Sequence, residues 1–236
     1  MLTQNAAATP RIDRNDTLAA IVARNPASAR VFQAHRLDFC CHGDVTLDEA
    51  LLGRPEKAEA ILAEVEDAIR TLDREVVAED VAALSVPALI SRIIERHHAF
   101  LRRQLPAIEP LLEKVVRVHG EHNPKLAAVL EAFKGLRAAI EPHLDEEEEV
   151  LFPLLMTRKP DQAAAAAGLD RMYGDHLEVG KLIGHLREQT DDYATPEWGC
   201  RSYRLLMSEL EDVETDLLRH VHLENHVLMP RFSARH

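Results

Sequence analysis

The sequence predicts an all-α protein: a four-helix bundle over residues 88–236, a small N-terminal helical domain over 15–74, a disordered tail at 1–14 and a linker at 75–87. Three observations carry this reading. Aromatic residues make up only 4% of the chain while Ala, Leu, Glu and Arg abound, a balance that favours helix over sheet. Four long stretches keep apolar residues at spacings of three and four, with no strand-like alternation between them. One motif also occurs twice, as HLDEEEEVLFP at 143–153 and HVHLENHVLMP at 220–230.

At the N-terminal end, TLAAIVARNP and SARVFQAHRL read as two short helices separated by Pro26. DFCCHGD follows as a loop. Thr46 with Glu49 three residues on forms a capping box that opens a helix at LDEALL, and a longer helix is expected from Lys57 to Arg74. The bundle helices are expected at 88–118, 124–156, 168–189 and 197–229, separated by GEHNP, by RKPDQ with an Ala run, and by TDDYATPEW. Their seams run through Ile94, Leu101, Leu105, Ile108 and Leu112 on the first, and Val129, Phe133, Leu136, Ile140, Val150 and Leu154 on the second. The third carries Leu169, Met172, Val179, Ile183 and Leu186, the fourth Tyr203, Leu206, Leu210, Val213, Leu217 and Val227. Short connections make neighbours antiparallel. Pro106, Pro110 and Pro142 fall inside two of these stretches and are expected to kink or locally break them.

Each seam is interrupted by polar residues. His98 lies between Ile94 and Leu101; His143 and Glu147 lie between Ile140 and Val150; His176 lies between Met172 and Val179; His220 and Glu224 lie between Leu217 and Val227. In both copies of the repeat His and Glu stand at i and i+4, one turn apart on one face. Any one of these histidines alone reads as a hydrogen-bonded core or boundary residue. Together, four imidazoles and two carboxylates in one core read as a metal site, because two unpaired buried carboxylates are each costly and repel one another. His98 to His143 is 45 residues and His176 to His220 is 44, so the bundle reads as two similar hairpins holding two metals, each with two His, bridged by Glu147 and Glu224. Imidazole and carboxylate without thiolate suit iron, manganese or zinc. Neither the Glu-x-x-His of ferritin-type bundles nor the HExxH of metalloproteases is present at these positions.

The remaining candidates read more plainly. Glu146, Glu148 and Glu149 point about 100° or 200° away from Glu147 and form a solvated face, with support of the ligands as the other use. His97 competes with His98 but fits the repeat spacing less well, and His222 and His226 read as exterior or supporting. His35, His42, His119, His122, His185 and His236 share no register. A formal charge of -12 argues against nucleic acid as a partner. The first residues lack the uninterrupted apolar core of a signal peptide and no segment approaches 18 uncharged apolar residues, so a soluble, cytoplasmic protein without a membrane partner is expected. Three cysteines do not make a disulfide framework. The adjacent Cys40 and Cys41 point to redox or metal chemistry, against the plainer reading of two incidental loop thiols, and Cys200 near Trp198 reads as structural.

With these residues in view, the bundle resembles the hemerythrin-like fold, in which His and His-x3-carboxylate elements from four helices hold two non-haem irons. The whole chain more closely resembles the repair-of-iron-centres family, which pairs such a bundle with a short N-terminal Cys-Cys domain. LDFCCHGDVTLDEA and HVHLENHVLMPRF carry the likeness. The resemblance implies two non-haem irons per chain, oxo- or hydroxo-bridged, held by His98, His143, Glu147, His176, His220 and Glu224, with Cys40 and Cys41 in a catalytic role. It also implies a part in restoring iron-sulfur clusters damaged by nitric oxide or peroxide, with nitric oxide bound or reduced at the irons and iron given to an apo-cluster protein. The implied partners are nitric oxide or dioxygen, damaged iron-sulfur proteins, and a second copy of the chain in a homodimer. His42 departs from the family pattern, where a small residue follows the cysteine pair. The alternatives are a hemerythrin-like oxygen or nitric oxide carrier or sensor without turnover, and an iron store or structural bundle.

Overall fold

In the computed structural model, which describes residues 12–72 and 81–232, every regular element among the described residues is helical, and an isolated antiparallel bridge joins Thr17 to Thr46. The chain divides between Glu79 and Asp80 into two compact units. The N-terminal unit holds α1 (Leu18–Arg24), α2 (Ser28–Ala34), α3 (Leu47–Ala50) and α4 (Pro55–Leu72). Thr17 caps α1 by accepting the Ala20 N–H, and Thr46 and Glu49 complete the capping box of α3 in both directions. The loop between α2 and α3 returns along α1, where the carbonyls of Gly43 and Val45 accept the N–H groups of Ala19 and Leu18. Leu18, Ile21, Phe32, Phe39, Leu47, Ile61 and Val65 fill the interior together with Cys40 and Cys41.

Order begins earlier than the composition of the tail indicates. Of the segment expected to be disordered, residues 1–11 lie outside the described residues, but Ile12 is buried and the Asp13 N–H donates to the Asp16 carboxylate. The helix expected to reach Arg74 is described as far as Leu72.

In the second unit, Ser85 caps α5 (Val86–Ile93) by accepting the Ala88 N–H, with Pro87 in the first turn. The last two residues of the expected linker are therefore helical; its residues 75–80 lie outside the described residues. A π-turn at Ile94–His98 leads into α6 (Ala99–His119). After a short connection, α7 (Lys125–Glu146) passes through a π-turn at Glu147–Leu151 into α8 (Phe152–Leu155). Helix α9 (Gln162–Gln189) is capped by Asp161 and starts before the expected residue 168, because the Ala run that reads as a connection has the highest helix propensity and joins the helix. Helix α10 (Arg201–Leu223) ends in a π-turn at Glu224–Leu228 and a 3-10 turn at Met229–Arg231. Helix α6 packs against α7 and α10, and α7 against α9. The prolines do not break their helices: α6 runs unbroken through Pro106 and Pro110, and α7 through Pro142. Leu105, Ile108 and Leu112 on α6 are all buried, so packing holds the helix where local hydrogen bonds are missing.

The irregular turns lie elsewhere, and they move the seam. In a π-turn the hydrogen bond spans five residues, as between the Ala99 N–H and the Ile94 carbonyl, Phe152 and Glu147, and Met229 and Glu224. One additional residue per turn shifts which side chain points inward. Hence Ile93, not the expected Ile94, is fully buried five residues before His98, and Leu151, not the expected Val150, is buried four residues after Glu147. Val150 is 48% exposed. Gly168 on α9 makes room for the shifted side chain, since a Cβ there would stand 2.7 Å from Cδ1 of Leu151.

The bundle interior is divided accordingly. One apolar cluster is built on Leu101, Leu105, Phe133, Ile140, Leu144, Val179, Leu210 and Leu217, and a second on Ile90, Ile93, Leu151, Phe152, Met172, Leu223 and Leu228. His98, His143, Glu147, His176, His220 and Glu224 lie along their helices between the two. Leu151→Ala is expected to destabilise the protein by about 2–5 kcal/mol and Val150→Ala by less than about 0.5 kcal/mol in denaturant unfolding.

Candidate metal centre

The six polar residues picked out along the seams converge. His98, Glu147, Glu224 and His220 are 0–1% exposed, His176 1% and His143 8%. The ligand atoms of His98, Glu147, His220 and Glu224 all lie within 4.8 Å of one another, as do those of His143, Glu147, His176 and Glu224. Both groups contain both carboxylates. Within each, the two imidazoles meet edge to edge: Nε2 of His98 is 3.0 Å from Nε2 of His220, and Nε2 of His143 is 3.1 Å from Nε2 of His176. Two nitrogens bonded to one ion at about 2.1 Å and at right angles stand about 3.0 Å apart, so these pairs have the spacing of two ligands on one cation.

The carboxylates lie between the pairs, one oxygen towards each. Oε2 of Glu147 is 3.4 Å from His98, while its Oε1 is 3.3 Å from His143 and 3.9 Å from His176. Oε1 of Glu224 is 2.9 Å from His220 and 3.9 Å from His98, while its Oε2 is 3.2 Å from His176. Both oxygens of Glu147, Oε2 of Glu224 and Nδ1 of His220 are buried without a well-aligned hydrogen bond. Buried carboxylate oxygens in that condition are what a cation satisfies.

The outward nitrogens of three rings are held in turn. Nδ1 of His98 is 2.8 Å from Glu148, whose carboxylate is also gripped by Arg102 at 3.0 Å. Nδ1 of His176 is 2.8 Å from Oδ1 of Asn225, and Nδ1 of His143 is 3.3 Å from Asp175. Such partners orient a metal-binding imidazole and leave Nε2 as its free donor. His220 is covered instead by the parallel ring of His97 at 5.6 Å, and His97 is anchored through Nδ1 to Asp216 at 2.9 Å.

Comparison with known proteins agrees with this arrangement. A sequence model described as the hemerythrin HHE cation binding domain matches residues 89–232, and one described as ScdA_N, a domain of unknown function, matches residues 14–69. Over 224 residues the chain is 31% identical to a Staphylococcus haemolyticus protein named iron-sulfur cluster repair protein ScdA, spanning 94% of this chain and 100% of that one. Over 218 residues it is 32% identical to a Yersinia pestis protein named iron-sulfur cluster repair protein YtfE, spanning 92% of this chain and 96% of the other. A Yersinia pseudotuberculosis protein of the same name matches to the same extent. The chain belongs to the repair-of-iron-centres family.

For this member of the repair-of-iron-centres family, several residues around the six were hidden from sequence reading or misplaced by it. Glu148, read as a solvated face or as support for the ligands, takes the supporting place beside His98; Asp175, Asn225 and Arg102 give no seam signal at all. Their one mark is adjacency, since Asp175 precedes His176, Glu148 follows Glu147 and Asn225 follows Glu224. His222, expected to be exterior or supporting, is 3% exposed, because residues 220–225, at the end of α10 and the start of its π-turn, are buried on every side. Its ring lies 5.4 Å from that of His226. Cys200 is exposed and sits 3.1 Å from Nε2 of His119, which with the N–H groups of Tyr203 and Ser202 brings the thiol down to about 7. Cys40 and Cys41 belong to the N-terminal unit. No helix among the described residues is long and apolar enough to cross a membrane.

Without metal, protons take the place of cations. Burial opposes charge on His98, but Glu147 and Glu224 overcome it and push the ring up to about 10; on His176 burial is likewise outweighed by Glu224 and Glu147, to about 9. Burial, joined by the charges of His98 and His97, outweighs Glu224 and pushes His220 down to about 3. Burial and the charge of Glu224 raise Glu147, whereas Glu224 stays well below the usual carboxylate range despite burial, because His220, His176 and His98 face it.

Since His98 and His176 lie above their unfolded value, the stability they lend the metal-free protein is complete below about pH 6.5 and lost as pH rises through about 9 to 10. A metal must displace the same protons. Metal uptake near pH 7 is expected to release protons, and its affinity to rise between about pH 6.5 and 9, as read by calorimetric titration in buffers of different ionisation enthalpy. Uptake independent of pH would contradict this assignment. Glu147→Ala and Glu224→Ala are expected to lose metal from both positions, whereas Glu148→Ala keeps the stoichiometry with affinity weakened about 10–100-fold. Metal analysis showing equal loss in all three would exclude the two central carboxylates as a distinct class.

Proposed function

We propose that this chain is a two-iron protein that repairs iron-sulfur clusters damaged by nitrosative or oxidative stress, working in the cytoplasm. The observation that carries the reading is the pair of carboxylates, Glu147 and Glu224, each offering one oxygen to the His98–His220 pair and the other to the His143–His176 pair. One iron would be held by His98 and His220, its neighbour by His143 and His176, with both carboxylates between them. When bound, such a pair supplies one-electron chemistry and open positions for nitric oxide or dioxygen. Carboxylate and imidazole donors without thiolate suit iron, and the relatives named as iron-sulfur cluster repair proteins match nearly end to end.

The chain's own groups serve this role in three ways. Glu148, Asn225 and Asp175 fix the rings of His98, His176 and His143, so the metal-facing nitrogens are in place before an ion arrives. The apolar clusters on either side limit water and strengthen the electrostatics within the layer; Phe152 lies 5.7 Å from the ring of His98. Cys40 and Cys41 act as a thiol relay for iron or electrons during transfer to a damaged cluster. The test has two parts. The iron-loaded, reduced protein is expected to restore activity to an enzyme whose cluster was destroyed with nitric oxide, and Glu147→Ala is expected to fail. Normal iron content with no restoration would overturn the repair reading and favour a carrier or store. Nitrous oxide formed over many equivalents of nitric oxide would establish reduction, and its absence would limit the centre to binding.

A further inference from the structure

The N-terminal unit contains a second group of metal-ligating side chains, chemically unlike the first. Cys40 and Cys41 are 3% and 4% exposed, and their sulfurs are 3.6 Å apart. Oδ1 of Asp38 stands 3.4 Å from Sγ of Cys40, and the three residues present ligand atoms that all lie within 4.8 Å. Asp38 is built into the loop. Its Oδ1 accepts the backbone N–H groups of Cys40 at 3.2 Å and Cys41 at 2.8 Å, which turns both thiols to the same side. Its Oδ2 is 2.6 Å from Nδ1 of His42.

We propose that Asp38, Cys40 and Cys41 form a metal site separate from the bundle, taking one thiophilic divalent cation such as ferrous iron or zinc. Two sulfurs bonded to one ion at about 2.3 Å across a near-tetrahedral angle lie about 3.7 Å apart, the spacing already present here. A carboxylate oxygen at about 2.0–2.2 Å completes three positions. Binding is an exchange without oxidation: two S–H bonds break, two metal–sulfur bonds form and two protons leave. The thiols face the protein interior while the side chain of Asp38 is 44% exposed, so the fourth position opens towards solvent. An ion held on one open side by three protein ligands is placed for exchange rather than for permanent structure. His42 is a positioning residue that holds the carboxylate through Oδ2. The site extends the relay proposed for the cysteine pair: the pair would carry the metal itself, with Asp38 as its third donor.

The experiment uses the full, reduced chain and cobalt(II) as probe, because thiolate ligation gives near-ultraviolet charge-transfer absorption that imidazole and carboxylate ligation in the bundle does not. One thiolate-bound cobalt per chain is expected in the wild type, in Cys200→Ser and in Glu147→Ala. The absorption should vanish in Cys40→Ser and in Cys41→Ser, and Asp38→Asn should weaken cobalt affinity about tenfold or more. Helical circular dichroism serves as the folding control for each variant, joined by cobalt bound to the bundle in the variants that keep Glu147. Absence of the band in the wild type with both thiols titrating as reduced, or its persistence in Cys40→Ser, would overturn the site. The bundle reading fails separately: Glu147→Ala tests it without touching the thiols.

Discussion

Two carboxylates buried in one layer between two apolar clusters are the constraint on which the bundle rests. Glu147 and Glu224 repel one another, and burial opposes the charge on each. Neither can turn to water. The imidazoles therefore surround them on both sides, and the two carboxylates favour a second proton on His98 and on His176. The same field that draws protons to His98 and His176 draws metal ions, so the acid-base behaviour and the metal affinity have one origin. Removing either carboxylate would leave two His pairs without the group that joins them.

The π-turns reconcile that layer with the packing on either side. On a regular helix Val150 and Leu151 stand about 60° and 40° to either side of Glu147, so both fall near the inward face. The wider turn lets Glu147 face the layer and Leu151 face the second apolar cluster. The same adjustment precedes His98 and follows Glu224. Helix α9 supplies only His176, with Met172 and Val179 in regular register on either side, and it continues without a π-turn. Irregular turns thus occur beside ligands in three helices, where the seam has to change from polar to apolar within one turn.

This also explains what could be read in advance. The bundle helices and the six inward polar residues were legible because a charged or imidazole group on an apolar seam stands out at the same three- and four-residue spacing. The one-residue slip at Leu151 and Ile93 was not, because VLFP and RIIER contain apolar residues at both candidate positions and only the backbone decides between them. Glu148 points away from the layer, as its rotation from Glu147 requires, and supports His98 from outside. Prolines inside α6 and α7 predicted breaks because local propensity was weighed without the buried faces that hold those helices. His222 is buried because the end of α10 has no exposed side.

The two halves share a plan but differ in their outer support. Residues following the central carboxylates reach across to the lone histidines, Glu148 to His98 and Asn225 to His176, so position in the repeat is kept while charge is changed. Residues preceding those histidines face the repeat histidines: Asp175 hydrogen-bonds His143, but His97 only stacks on His220. An anionic partner strengthens an imidazole as a donor more than an amide does, and a ring with no partner on Nδ1 receives no such help. Each half therefore joins one carboxylate-backed ring to one that is not, and the more buried and better-aligned carboxylate, Glu148 with Arg102 behind it, lies in the half that also holds the unsupported His220. The near-symmetry of the sequence repeat makes a shared layer, and the residues just outside the repeat make its two His pairs chemically distinct.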